Sequence, residues 1–382
     1  MKKTLAVVGA VALAGVLAVT AAGCATSTKN LASLSSNWYY DSGFKRIQPT
    51  FTEEKAEKLT YMVTQSKPST NIYYSVLHEQ GTYTTEFYAK KITATELAEI
   101  TFEDWREDYV KALGKDGYMY LYYYKTELSL PKITFTCGGK TKEFTDQSVA
   151  TESYFLSVED YLRPVYSIRT INRAIPKELQ VSSIEGSYYE VDMVYESFYT
   201  ISGNRVKTLI TDNNATGDKL SAFELSGMKG HSSSVFDVAY LDIVARGMRN
   251  VGNAFSQQIA IYSPGLQLRD YTISGGSQPL FDNKEQSDLQ LAILEGILKD
   301  KGLFTPRPVD EKDSSKGETK LNTATVSIAY NGGNYSGVSQ TYWFAVGNDN
   351  ESRTLMLKYS EPLHYNLGQL DYVLTSINNI GE

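Results

Sequence analysis

Hydrophobic and polar positions follow two periods along this chain, and each period predicts its own kind of element. Over 52–63, Ala56, Leu59, Met62 and Val63 recur at helical spacing, and Thr52 followed by Glu53 and Glu54 supplies a cap and an acidic first turn. Residues 72–77 and 83–92 read as strands divided at Gly81. A second helix is predicted from Thr101, since Phe102, Trp105, Tyr109 and Leu113 share one face and Gly114 supplies the stop. Strands over 118–128, 132–137 and 141–144 follow. This order suits an antiparallel sheet with helices laid on one face.

Pro176, paired serines and Gly186 mark 175–187 as a boundary. Beyond it, Tyr189, Val191, Met193 and Tyr195 alternate with polar residues in a strand over 188–201, which Gly203-Asn204 turns back into 206–211. Helices are predicted over 235–250 and 286–301. The latter has Ser287 as N-cap, Asp288 at the positive end of the dipole, and Leu289, Ile293, Leu294, Ile297 and Leu298 facing inward before Gly302. Residues 305–320, with Pro306 and Pro308, read as an exposed excursion. Strands over 322–330, 338–346 and 353–358 precede a last helix capped by Asn366, burying Leu367, Leu370, Val373, Leu374 and Ile377. The expected fold class is α+β: two domains of mostly antiparallel sheet with packed helices, over 37–180 and 181–382.

The N-terminus carries a different pattern. Lys2 and Lys3 precede an unbroken run of small and apolar residues over 5–22, ending in Ala21-Ala22-Gly23-Cys24. This is an export signal. It resembles the signal peptide of bacterial lipoproteins, with Ala21 where that family usually has Leu. The resemblance implies cleavage after residue 23, with Cys24 as a lipidated mature N-terminus. The folded part would then work outside the cytoplasm, lipid-anchored to the cell membrane, or to the outer membrane if the organism has two. Two or three acyl chains, at roughly 0.8 kcal/mol per buried methylene, hold a protein permanently. An uncleaved helical anchor and plain secretion are the alternatives, the run being long for a signal core. Small polar residues over 25–36 complete a flexible tether that starts at Cys24. Cys137 is then the one remaining thiol, so no intramolecular disulfide forms.

Composition narrows the function classes. Lys and Arg number 37 against 44 Asp and Glu, a net charge of −7, and no basic run compensates, which disfavours a nucleic-acid partner. The 29 Tyr and 14 Phe favour half-buried strands. His78, His231 and His364 are the only histidines, too few and too scattered for an expected metal or acid–base cluster.

Short motifs offer candidate chemistry. Gly230-His231-Ser232-Ser233-Ser234 resembles the nucleophile elbow of α/β-hydrolases, with Asp270 or Asp282 and then His364 downstream in the family's order, but Ser234 replaces the closing glycine. A serine-rich helix cap explains the same residues. Ser226-Gly227-Met228-Lys229 and Ser202-Gly203-Asn204 resemble two motifs of penicillin-recognising enzymes in reversed order, and a hairpin turn accounts for Gly203-Asn204. Residues 212–218 offer oxygen ligands at calcium-loop spacing, yet the twelfth position is Phe223 in place of a bidentate acid, so a polar turn is expected.

The run over 118–124 is the most unusual. A two-residue period puts Tyr118, Tyr120, Tyr122 and Tyr124 on one face and Met119, Leu121 and Tyr123 on the other, and the Met/Leu side is the natural core. The tyrosine ladder, with one of Tyr342 and Trp343 facing outward, is then a candidate binding surface. The leading expectation is a non-enzymatic, membrane-tethered lipoprotein, without cofactor or metal, binding an envelope protein or glycan. The alternatives are an envelope serine hydrolase using Ser232 and His364, or a purely structural surface protein.

Overall fold

The computed structural model describes residues 52–158, 161–176, 188–228, 235–248, 255–264, 267–309, 317–331, 339–346, 355–363 and 366–380. The predicted signal, Cys24 and the tether therefore lie outside the described residues, as do most of the expected boundary, Ser232 and His364.

Strands dominate. The first are β1 (Glu57–Lys67), β2 (Tyr74–His78) and β3 (Gly81–Thr93), followed by two short helices, α1 (Ala94–Ile100) and α2 (Arg106–Lys111). Then come β4 (Tyr118–Cys137), β5 (Lys140–Val158), β6 (Tyr161–Pro176), β7 (Tyr188–Tyr199), β8 (Arg205–Asp212) and β9 (Leu220–Ser226). The short β10 (Val235–Asp237) passes through a 3-10 turn at Val238–Tyr240 into α3 (Leu241–Met248). β11 (Phe255–Ser263), β12 (Gln267–Gly276), α4 (Lys284–Asp300), β13 (Asn322–Tyr330), β14 (Ser339–Val346), β15 (Met356–Leu363) and β16 (Gly368–Asn379) complete the chain.

The 16 strands of the described residues join one sheet, in the order β10-β11-β12-β13-β14-β15-β16-β1-β3-β4-β5-β6-β7-β8-β9, with β2 added on β4. Pairing is antiparallel throughout except between β10 and β11. The strands flanking the expected boundary, β6 and β7, pair with each other, and β1 pairs with β16, joining the first and last described strands. So long a sheet must curl, because the twist accumulates across each pair. Here it curls until its ends meet: Tyr199 and Val206 of β7 and β8 pack against Val235, Ala260 and Tyr262 of β10 and β11. Hydroxyls stitch this seam, with Ser197 Oγ 2.9 Å from Thr208 Oγ1, which lies 2.6 Å from Tyr262 Oη. The seam is made by side chains, so the shape is barrel-like, with an inner and an outer face.

The outer face is covered in two places. Ile92, Leu97, Ile100, Trp105 and Tyr109 seal α1 and α2 over Leu121, Val165 and Phe198. The segment around α4 covers β14 to β16, where Trp343 Nε1 donates to the carbonyls of Gln278 and Pro279, each at 3.1 Å. Beneath it lies a buried Lys358–Asp371 ion pair at 2.7 Å. α3 lies against the inner face, with every residue but Asp242 buried.

This architecture corrects the expected α+β class. The first and last predicted helices are β1 and β16, which pair with one another. In β1 the buried residues are Glu57, Leu59, Tyr61 and Val63, a strict period of two that the chance spacing of Ala56, Leu59, Met62 and Val63 conceals. In β16, Leu370 to Leu374 are buried without a break because both faces are covered, and the union of two faces mimics helical spacing. The helix expected over 235–250 is cut to α3 by the β10 strand before it. α4 is capped by Asn283, whose side chain accepts from the Gln286 N–H at 3.1 Å, and not by Ser287. Ser287 Oγ instead accepts from the Leu280 N–H, and Leu289 and Ile293 face outward. Predicted strands over 118–128 and 132–137 are one strand, β4. Gly81 opens β3, where a Cβ would sit 2.4 Å from the Ser129 carbonyl oxygen.

Candidate functional site: a tyrosine-lined interior

Strand register determines what the interior contains. Tyr342 on β14 is opposite Tyr359 on β15, which is opposite Tyr372 on β16, and Tyr372 is opposite Val63 on β1. The rings stack along this row, with centroids 4.8 Å apart for Tyr342–Tyr359 and 4.7 Å for Tyr359–Tyr372. Tyr83 on β3 meets the Tyr372 ring edge-on at 5.3 Å and lies opposite Tyr61. Tyr124 on β4 continues the same face, opposite Phe87. Rings that stack side by side turn their edges, and hence their hydroxyls, away from the strands.

Charged groups stand among these phenols. Asp242 of α3 accepts from the Tyr124 hydroxyl and from the Ile243 N–H at 2.9 Å. Burial raises its carboxyl from the ordinary range to about 6, against the opposing pull of the Tyr124 hydrogen bond. Burial likewise pushes the hydroxyls of Tyr83, Tyr124, Tyr342, Tyr359 and Tyr372 well above 10, with the Asp242 or Glu361 carboxylate adding to the effect. Glu361 on β15 accepts from Tyr372 Oη at 2.9 Å. Across the interior, β6 presents Ser167, Arg169, Ile171 and Arg173 at alternate positions. Arg173 Nη2 lies 3.4 Å from His78 Nε2, while His78 Nδ1 faces Gln65 Oε1 at 3.3 Å, which sets the tautomer with the proton on Nδ1. Burial first, and Arg173 second, lower the His78 pKa to about 3, so this imidazole is neutral.

The interior is not packed solid. Tyr83, Arg169, Arg173, Asp242, Tyr359 and Glu361 all sit on the inward side, yet each keeps part of its surface accessible. For Tyr83, Tyr359, Asp242 and Arg169 that surface coexists with strong desolvation, so these side chains stand largely within the protein. A second network closes one side. Asp237 of β10 accepts from Ser167 Oγ at 2.7 Å, from the Tyr199 hydroxyl and from the Ala239 N–H at 2.8 Å. Glu57 and Arg246 pair at 2.6 Å and hold α3 to β1.

The residues singled out from the sequence fall in different places. Tyr122 and Tyr124 line the interior core, whereas Tyr118 is half-buried beneath the Lys91 ammonium, 3.8 Å from its ring, and Tyr120 is 59% exposed. The ladder face turns into the interior core at Tyr122 and Tyr124 but leaves Tyr120 exposed, and the opposite face, with Leu121 and Tyr123, is buried too. Tyr342 and Trp343 are both buried, one in the interior and the other beneath the α4 segment, so neither faces outward. Residues 212–218 form the polar turn between β8 and β9, where Asn214 N–H donates to Asp212 Oδ1 at 2.9 Å. Gly203, at φ 65°, sits in the turn between β7 and β8. No group of metal-ligating side chains occurs among the described residues. Arg169, Arg173, Asp242 and Glu361 escaped sequence reading. Their signal is a charge at an inward position of an alternating strand or buried helix, legible only once the inward side is known.

No family model matches the chain, and no curated protein matches it. Among solved structures it is similar to the crystal structure of a beta-barrel-like protein, a domain of unknown function DUF1849, from Brucella abortus. The identity is 8% and the TM-score 0.40, covering 87% of this chain and 99% of that one. No helix among the described residues is long and apolar enough to cross a membrane, a test that does not address strands.

Proposed function

We propose that this chain is a lipid-anchored extracytoplasmic binding module that takes an envelope glycan into its tyrosine-lined interior. The observation that supports this most is the inward row Tyr342, Tyr359, Tyr372 and Tyr83 beside Glu361, Arg169 and Arg173. Sugars are recognised by aromatic surface together with planar charged groups that pair with hydroxyls, and sites with few well-placed polar groups in a concave aromatic wall suit small ligands. The anchoring half of the reading follows from the residues before Cys24. Calorimetric titration with neutral and acidic tetrasaccharides should find a ligand with Kd between about 10 μM and 1 mM. Tyr359→Ala should weaken that ligand at least tenfold. A flat titration across the whole panel would refute the glycan reading. Cys24→Ala should move the protein from the membrane to the soluble fraction, and unchanged membrane retention would refute the anchor.

A further inference from the structure

We infer that the sugar held in this interior is acidic and that Arg169 recognises its carboxylate. The inference rests on the glycan reading above and adds the chemical class of ligand. Arg169 is central on β6, flanked in register by Thr151 on β5 and Tyr195 on β7, so strands on both sides fix its direction. Its guanidinium makes no hydrogen bond or ion pair with any described residue. The two carboxylates within its electrostatic reach are Glu361 and Asp237. Both are already engaged by other donors. Glu361 accepts from Tyr372, and Asp237 accepts from Ser167, Tyr199 and the Ala239 N–H. They offset the charge of Arg169 without using its N–H groups.

Five N–H donors in a rigid planar fork are thus left without a described hydrogen-bond partner on the inward side of β6. Burial lowers the Arg169 pKa, as expected for a cation removed from water without a partner in direct contact. Such a fork is geometrically matched by the two oxygens of a carboxylate, and that pair is stronger than any neutral contact a sugar hydroxyl offers. Arg246 is paired to Glu57 through both terminal nitrogens, and Arg173 has one contact, from Nη2 to the His78 ring at 3.4 Å. Arg169 is therefore the group best placed to read a uronic-acid carboxylate, while Tyr83 and Tyr359, the rings of the row that keep accessible surface, meet the sugar ring.

The test uses tetragalacturonate, its methyl ester and chitotetraose, titrated calorimetrically into the full-length protein, Arg169→Gln and Arg169→Lys. The ester keeps every atom of the ring and removes the charge. Wild type should bind the acid at least tenfold more tightly than the ester. Arg169→Gln should bring the acid down to the level at which the ester binds the same variant, and Arg169→Lys should recover only part of the loss, lacking the fork. Equal binding of acid and ester by wild type would overturn the inference even if Arg169→Gln failed to fold, and so would undiminished binding of the acid by folded Arg169→Gln. Binding of chitotetraose alone would leave the glycan reading standing and sink this one, whereas silence from all three sugars would sink both.

Discussion

Glu57→Gln leaves a guanidinium stranded inside the protein. In the native fold the two Glu57 carboxylate oxygens accept from Arg246 Nη1 and Nη2 at 2.6 and 2.9 Å, with the two side chains 3% and 5% exposed. The amide keeps the shape but holds no charge and offers one acceptor oxygen, its NH2 facing the other guanidinium nitrogen donor to donor, so one Arg246 N–H joins Nε, which already lacks a hydrogen-bond partner. Breaking one side of a buried pair costs about 3–5 kcal/mol, mostly from the uncompensated charge. Arg246→Met should cost a similar amount by stranding the carboxylate. The double variant Glu57→Leu/Arg246→Met strands nothing, and a buried pair replaced by apolar groups of similar size is near neutral or better. Urea unfolding followed by circular dichroism should show the midpoint falling by roughly 1 M in each single variant and largely restored in the double. A Glu57→Gln protein within about 1 kcal/mol of wild type, or a double variant whose loss equals the sum of the singles, would refute the argument that this pair is what seats α3 against β1.

Two further expectations concern pH, and their signs oppose. Asp242 has a folded pKa near 6, above its unfolded value, so its ionisation costs stability as pH rises from about 4 to 6 and the cost stays constant above that; Asp242→Asn should gain about 1–3 kcal/mol at pH 8 and nothing at pH 4. His78 has a folded pKa near 3, below its unfolded value of about 6.5, so stability falls as pH drops through that window, by about 1.4 kcal/mol per pH unit, and His78→Gln should flatten this loss. Unfolding midpoints at pH 4, 5, 6 and 8 for both variants against wild type decide the matter, since the two difference profiles must slope in opposite directions.

Much of the strand content is legible in the sequence, and the reason is burial on a single known side. Residues 190–197 alternate between accessible and buried positions, and both the hairpin at Gly203 and the strand after it fall where expected. α1 was also within reach, because Thr93 and Glu96 form a capping box that the spacing Thr-x-x-Glu announces. What the pattern conceals is closure. Once a sheet curls so that its ends meet, both faces of its central strands can be covered, and apolar residues then appear without a period of two. β16 shows this: Tyr372 points to the interior while Asp371 pairs with Lys358 beneath the α4 segment, and the strand reads as a helix from either side. The same closure decides the site. Tyr120 and Tyr124 share a face by parity alone, but whether that face meets water or an interior depends on β1 pairing with β16 some 300 residues away, a contact no local pattern encodes. The charges follow the same logic. Arg169 and Glu361 look like ordinary outward residues of alternating strands until the sheet brings them within electrostatic reach of each other, and only then does a cation without a described hydrogen-bond partner stand out from the surface charges.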